Sequence, residues 1–350
     1  MVFLAILRML ALPYLISTLD GRYDEIERQL FPAENDTASP AIDSSCCAVA
    51  YDDVRNIVFY GTGRGVRMIR TTDPKKPERL PGVMSTGGVA CDLACYGPLL
   101  YAACGDSGLE IWDVEDVSNP RRIATYCDSN HIHTVKISGS YAFLCAGESG
   151  LLILDVNDPG HPALIGRYQS PGYAMDVDVE GYYAFVADYD SGLSVVSIVR
   201  PDQPTEKIRY DPAARLFSVE VTGNHVYLAC DAGLMILSFN NLYRSDRGTI
   251  YRTSQPARSV QLDYPYAYVA DGRAGIRIIN ISQSGNPSET GYFDTPGKAV
   301  DLVESDGYAY IADGGDLVIQ NISRGTNLAT MIAFPLLVIL VWVPMMVLIF

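Results

Sequence analysis

His131 and His133 form an H-x-H pair in the segment CDSNHIHTV. Strand alternation would point both rings to one face. Such a pair is half of a metal site, and His133 is also a candidate general base by its intrinsic pKa. No third ligand is fixed by spacing, so no metal is assigned. Two further sets of polar residues recur at fixed places. Arg258 and Lys298 align with His133 just ahead of one recurring strand, and Asp188, Asp271 and Asp313 close the next one. If the fold brings the copies together, basic groups would ring carboxylates. That arrangement suits a polar or anionic ligand, or mutual neutralisation.

A repeat carries these positions. A glycine opens a short apolar strand at Gly65, Gly108, Gly150, Gly192, Gly233 and Gly275, and Asp316 takes its place in a seventh copy. The spacings are 43, 42, 42, 41, 42 and 41 residues. A fixed period of this length marks one supersecondary unit repeated. The copy from Val177 reads VDVEG-YYAFVAD-YDSG-LSVVSIV-RPDQP-TEKIRYDP. It contains four strand candidates, A to D, separated by Gly, Pro, Asp and Ser clusters. Strand A recurs as VKI, VEV and VQL from Val135, Val219 and Val260, and strand B as YAFLCA, YAYVAD and YAYIAD from Tyr141, Tyr266 and Tyr308. No window between Cys46 and Ser323 keeps a helical period.

A four-stranded unit cannot bury both faces alone, and radial stacking of such units does. The fold class is therefore all-β, a seven-bladed β-propeller of four-stranded antiparallel blades over 46–323. The alanines of strand B suit the tapering interior. Phe143, Phe185, Tyr268 and Tyr310 suit the layer between blades. The pattern YAFVAD-x-x-S-G-L-x-I-x-D-V-x-D-P-x-x-P resembles the LVIVD-repeat family of β-propellers across roughly residues 46 to 323. Copies two, three, four and six match best. The resemblance implies the propeller fold and, loosely, a display or interaction role. It names no common reaction.

Copy seven stops after its strand C, which would leave an edge unpaired. The segment 20–45 is expected to close the ring through Glu25–Phe31 (EIERQLF), with 32–45 as a polar linker. A short amphipathic helix is the other reading of EIERQLF.

The two ends point to a membrane. Residues 328–350, LATMIAFPLLVILVWVPMMVLIF, hold no charged side chain. As a helix they would reach about 34 Å, enough to cross a bilayer core. A transmembrane anchor is expected there, ahead of a cleaved lipid-anchor signal, whose polar spacer is missing. Residues 1–19 read as a secretory signal peptide or an uncleaved N-terminal anchor. Sequons at Asn35, Asn280 and Asn321 are glycosylation candidates. The localisation expected is the cell surface or secretory pathway.

The formal net charge of −15 excludes nucleic acid as a partner class. Eight cysteines could pair in an exported chain, Cys46 or Cys47 with Cys91 first. There is no G-x-S-x-G nucleophile elbow, and Gly61–Gly65 lacks the Lys-Ser/Thr of a phosphate loop. The sequence thus reads as a non-catalytic interaction or scaffold module with no cofactor. Its partners are proteins on a propeller face and the membrane through the tail. The alternative is a small-molecule-binding or hydrolytic propeller using a channel mouth built from His133, Arg258, Lys298, Asp188, Asp271 and Asp313. A third possibility has the three aspartates holding a structural metal.

Overall fold

The computed structural model describes residues 46–322 except 64, 128–129 and 243–247. These residues form seven antiparallel sheets arranged as the blades of a propeller. Blade 1 is β1 (Val49–Asp52), β2 (Ile57–Thr62), β3 (Gly65–Arg70) and β4 (Glu78–Arg79). Blades 2 to 6 run from β5 (Asp92–Tyr96) to β8 (Arg121–Tyr126), β9 (Thr134–Ser138) to β12 (Ala163–Tyr168), β13 (Asp176–Glu180) to β16 (Thr205–Tyr210), β17 (Leu216–Thr222) to β20 (Thr249–Tyr251) and β21 (Ser259–Asp263) to β24 (Ser288–Phe293). Blade 7 has three strands among the described residues, β25 (Asp301–Ser305), β26 (Tyr308–Ala312) and β27 (Leu317–Asn321). Seven blades and four-stranded sheets agree with the repeat analysis. Glu25–Phe31, the expected closing strand, lies outside the described residues, as do 1–19, 328–350 and Asn35. Among the described residues no helix is long and apolar enough to cross a membrane.

One departure from the all-strand reading is a single helical turn, Phe239–Leu242. It follows strand C of blade 5, the copy that lacks the Asp-Pro turn. Phe239 stacks edge-on against Phe185 of the preceding blade, with ring centroids 5.9 Å apart.

Burial explains the ring. The central aromatic of each strand B leaves its own blade and enters the next. Phe143 packs with Ala174, Val177 and Ala184 of blade 4. Phe185 packs with Leu216, Val219 and Val226 of blade 5. Tyr268 packs with Ala299, Leu302 and Ala309 of blade 7. The last member, Tyr310, joins Cys46, Val49, Val58 and Tyr60 of blade 1 and so closes the circle. At the same seam its ring stacks on Tyr51 at 5.3 Å, and Gly314 N donates to Cys46 O at 3.0 Å. The strand B alanines Ala184, Ala187, Ala267, Ala270, Ala309 and Ala312 are fully buried.

The repeated glycine has a geometric cause. Each adopts a positive φ, between 73° at Gly275 and 133° at Gly65. At Gly275 a Cβ would stand 1.9 Å from the carbonyl oxygen of Phe293 in strand D. Blade 7, without that neighbouring strand among the described residues, carries Asp316 instead. Gly275→Ala is therefore expected to lower the unfolding free energy by at least about 2 kcal/mol, since left-handed backbone and a carbonyl clash combine. Asp316→Gly should change it by less than about 1 kcal/mol. Urea unfolding of both variants checks this, and equal effects would contradict it.

Candidate functional site

Strand A of every blade lines the axis. Its apolar residues, such as Val135, Val177, Val219 and Val260, turn into the blade cores, and pleating turns the alternate residues inward. The first inward row carries Asp92, Thr134, Asp176, Ser218, Ser259 and Asp301. These positions share one register, each facing the last residue or penultimate residue of its strand B. The second row holds Lys136, Asp178, Glu220 and Gln261. Together the strands enclose a central cavity of about 310 Å³.

The carboxylates in this channel face the next blade. Asp92 Oδ2 accepts from Val135 N at 2.8 Å, and Asp176 Oδ2 from Val219 N at 2.9 Å. Asp178 Oδ2 accepts from Val221 N at 2.7 Å, and Glu180 Oε1 from Gly223 N at 3.0 Å. Asp301 Oδ2 accepts from Val49 N at 3.0 Å, which adds a polar clasp to the seam between blades 7 and 1. The second oxygens of Asp92, Asp176, Asp178 and Asp301 cap the following residue's N–H on their own strands. Lys136 Nζ lies 2.8 Å from Asp178 Oδ1.

Burial raises the pKa of Asp92, Asp176, Asp301 and Glu220. It holds Asp92 well above the usual carboxylate range, with the charge of Asp301 adding to the effect. Asp176 is also raised by burial, and Asp301 is pushed up to about 6, although backbone donors from Val49 and Leu302 oppose the shift. Burial likewise raises Glu220 against the pull of Lys136. Burial disfavours the charge on Lys136, but Asp178 and Glu220 outweigh it and hold the amine above the ordinary lysine range.

None of the six residues expected at the mouth lines the central cavity. His133 Nε2 meets the Tyr173 hydroxyl at 2.5 Å, and its ring lies 4.4 Å from that of His131. Burial depresses His133 to about 4, the charge of His131 adds to this, and Asp106 partly offsets it. Burial also raises the pKa of Tyr173. His131 Nδ1 lies 2.7 Å from Asp106 Oδ1. Arg258 stacks on Phe217 with its guanidinium carbon 4.4 Å from the ring centroid, and Phe217 in turn meets Tyr189 edge-on. Lys298 is exposed and two residues out of the expected register. Arg258 N donates to Ala270 O, whereas in blade 7 the matching bond to Ala312 O comes from Val300.

The three aspartates are internal staples, each buried at the end of strand B. Asp188 Oδ2 accepts from Ser194 Oγ at 2.5 Å, its Oδ1 has no partner, and burial pushes it up to about 6. Asp271 pairs with Arg277 at 3.0 Å and accepts from Ser254 N and Gln255 N. Asp313 accepts from Gly297 N, Gly315 N and Asp316 N. Their separate engagements give no shared metal seat, and no group of three or more His, Cys, Asp or Glu among the described residues could hold one. None of the cysteines, all of them described, forms a disulfide. Asn280 ends strand C of blade 6, where its Oδ1 accepts from Ser282 N and Oγ, and Asn321 ends β27.

Six segments match the LVIVD repeat, residues 87–128, 131–170, 171–212, 217–239, 256–295 and 296–334, more than half of the chain. The chain belongs to the LVIVD-repeat family. The first blade falls outside the matched segments, and the fifth is matched over a shortened stretch, in line with its departure from the Asp-Pro turn. No curated protein matches this LVIVD-repeat chain. A solved structure that does is the computationally designed Ika8 protein in crystal packing No.1 in P63, at 10% identity, 81% of this chain, 98% of that chain and a TM-score of 0.60. At that identity the likeness concerns the fold alone.

The inward carboxylates missed by the sequence reading give a pH test. Asp301 holds its proton up to about pH 6 in the folded chain. The unfolded chain releases it near pH 4. Between those values the folded form binds more protons, so stability falls as pH rises through the window and this cost is absent below it. Asp301→Asn should show a shallower fall from pH 4 to 6.5 than the parent, by an amount on the order of 2 kcal/mol. Urea unfolding across that range checks it, and parallel curves would refute the assignment.

Proposed function

We propose that this LVIVD-repeat chain is an exported propeller, held at a membrane by residues 328–350, that works as a non-catalytic interaction module. One observation carries the reading. The inward aspartates of the channel direct hydrogen bonds to neighbouring blades. Asp92, Asp176, Asp178 and Asp301 accept main-chain N–H groups, His133 is engaged by Tyr173, and Arg258 lies on Phe217. A substrate-binding pocket needs convergent groups with capacity left over. A rigid disc with two loop faces suits partner binding.

The face that carries the D-to-A connections and B-to-C turns is the partner face. It displays Arg215 over Tyr189, Arg258 over Phe217, and exposed Lys298 and His131, in a chain whose net charge is −15. Aromatic and arginine side chains are the usual anchors of protein interfaces. Exposed Asp106, Glu148, Asp190 and Asp231 lie on the same face, so a protein surface of mixed charge is the complementary partner.

Cross-linking the full chain through a photoreactive group at position 298 in native membranes tests the proposal. A discrete protein conjugate is expected, at least fivefold weaker for Arg215→Glu/Arg258→Glu with thermal unfolding unchanged. A conjugate indifferent to that pair would remove this face as the contact. Saturable small-solute binding lost in Arg258→Glu, with no conjugate, would favour the ligand-binding alternative.

A further inference from the structure

The first and last described residues of the propeller lie on opposite faces. Cys46 O accepts from Gly314 N in the B-to-C turn of blade 7, which places the entry on the partner face. At the other end, Ile322 N donates to Gly307 O at 2.8 Å, in the turn between strands A and B. The last described residue therefore sits on the face made by the A-to-B turns. Only Ser323, Arg324, Gly325, Thr326 and Asn327 separate it from the charge-free run that starts at Leu328. Fully extended, five residues reach roughly 17 Å.

That face has its own composition. Tyr96 is 51% exposed, Tyr182 70% and Tyr264 68%, whereas the strand tyrosines Tyr60, Tyr101, Tyr227, Tyr268 and Tyr310 are buried. The three belong to the A-to-B turns of blades 2, 4 and 6, so they stand at spaced points around the axis. Val54, in the corresponding turn of blade 1, is 85% exposed. Acidic residues share this face, with Asp53 beside Val54, Asp263 beside Tyr264 and Asp306 in the A-to-B turn of blade 7, all exposed. A tyrosine offers an apolar ring and a polar tip, which suits the headgroup region of a bilayer. Neighbouring carboxylates oppose deeper entry and attraction to anionic lipid.

We infer that the A-to-B turn face rests on the interfacial layer of a zwitterionic bilayer, with Tyr96, Tyr182 and Tyr264 as its three contact points. The inference depends on the reading of 328–350 as a membrane anchor. It assigns the two faces of the disc, one to lipid and the other to the partner. Because the contact is apolar and short-range, it should tolerate salt.

The full chain in phosphatidylcholine nanodiscs, followed by hydrogen–deuterium exchange, tests this. Peptides spanning residues 96–98, 181–183 and 263–266 should exchange at least fivefold more slowly than in a Tyr96→Ser/Tyr182→Ser/Tyr264→Ser variant. Peptides over the opposite turns, 105–107 and 272–274, should be equal in the two proteins, and 0.5 M salt should change neither. Both proteins should float with the nanodiscs. Flotation without protection of the turns overturns the face assignment and leaves the anchor standing. Failure to float overturns the anchor and the inference with it. Protection that grows with protein concentration would mean a second copy on this face and would also overturn the inference.

Discussion

Each blade of this ring is completed by an aromatic side chain from the blade before it. Phe59, Tyr101, Phe143, Phe185, Tyr227, Tyr268 and Tyr310 occupy the middle of strand B in successive blades, and each is at least 95% buried within a cluster that includes the following blade. A small twisted sheet has too little apolar area to stand alone. The insertion makes burial a property of the circle, and Tyr310 against blade 1 closes it. The inward carboxylates add a polar counterpart, with one blade's aspartate accepting the next blade's N–H in blades 2, 4 and 7.

This economy of contacts occupies the channel aspartates. An aspartate that joins two blades has little capacity left for a ligand. His133, depressed by burial and engaged with Tyr173, is a weak base near neutral pH. One face offers charged and aromatic side chains, and the other offers exposed tyrosines on the side of the last described residue. The rigid disc fixes the distance between them.

Much of the fold was legible because the repeat states the same constraint seven times. The glycine ahead of strand C is imposed by the strand D carbonyl, and Asp316, its counterpart in blade 7, is not among the positive-φ residues. The aromatic and alanine slots of strand B announced the blade-to-blade layer. The mouth was less legible. Asp188, Asp271 and Asp313 resemble a ligand ring on paper, but strand B ends inside the blade and its closing carboxylate turns back to local donors. Lys298 fell out of register because Val300 begins the apolar run one alternation before Leu302, the true counterpart of Val260. The channel residues were visible only as the middle letters of VKI, VDV and VEV and as Asp92, Asp176 and Asp301 just before an apolar residue. Pleating turns those letters inward, and a reading by apolar pattern passes over them.

The closing contact is the most direct place to test the account. Tyr310→Ala and Phe143→Ala remove equivalent side chains, one at the seam and one well inside the ring, each 1% exposed. Urea unfolding should show a single transition for both, with losses of about 3–5 kcal/mol that agree within about 1 kcal/mol. A Tyr310→Ala protein as stable as the parent, beside a strongly weakened Phe143→Ala, would mean that the circle is not held by the side chain this account places at its join.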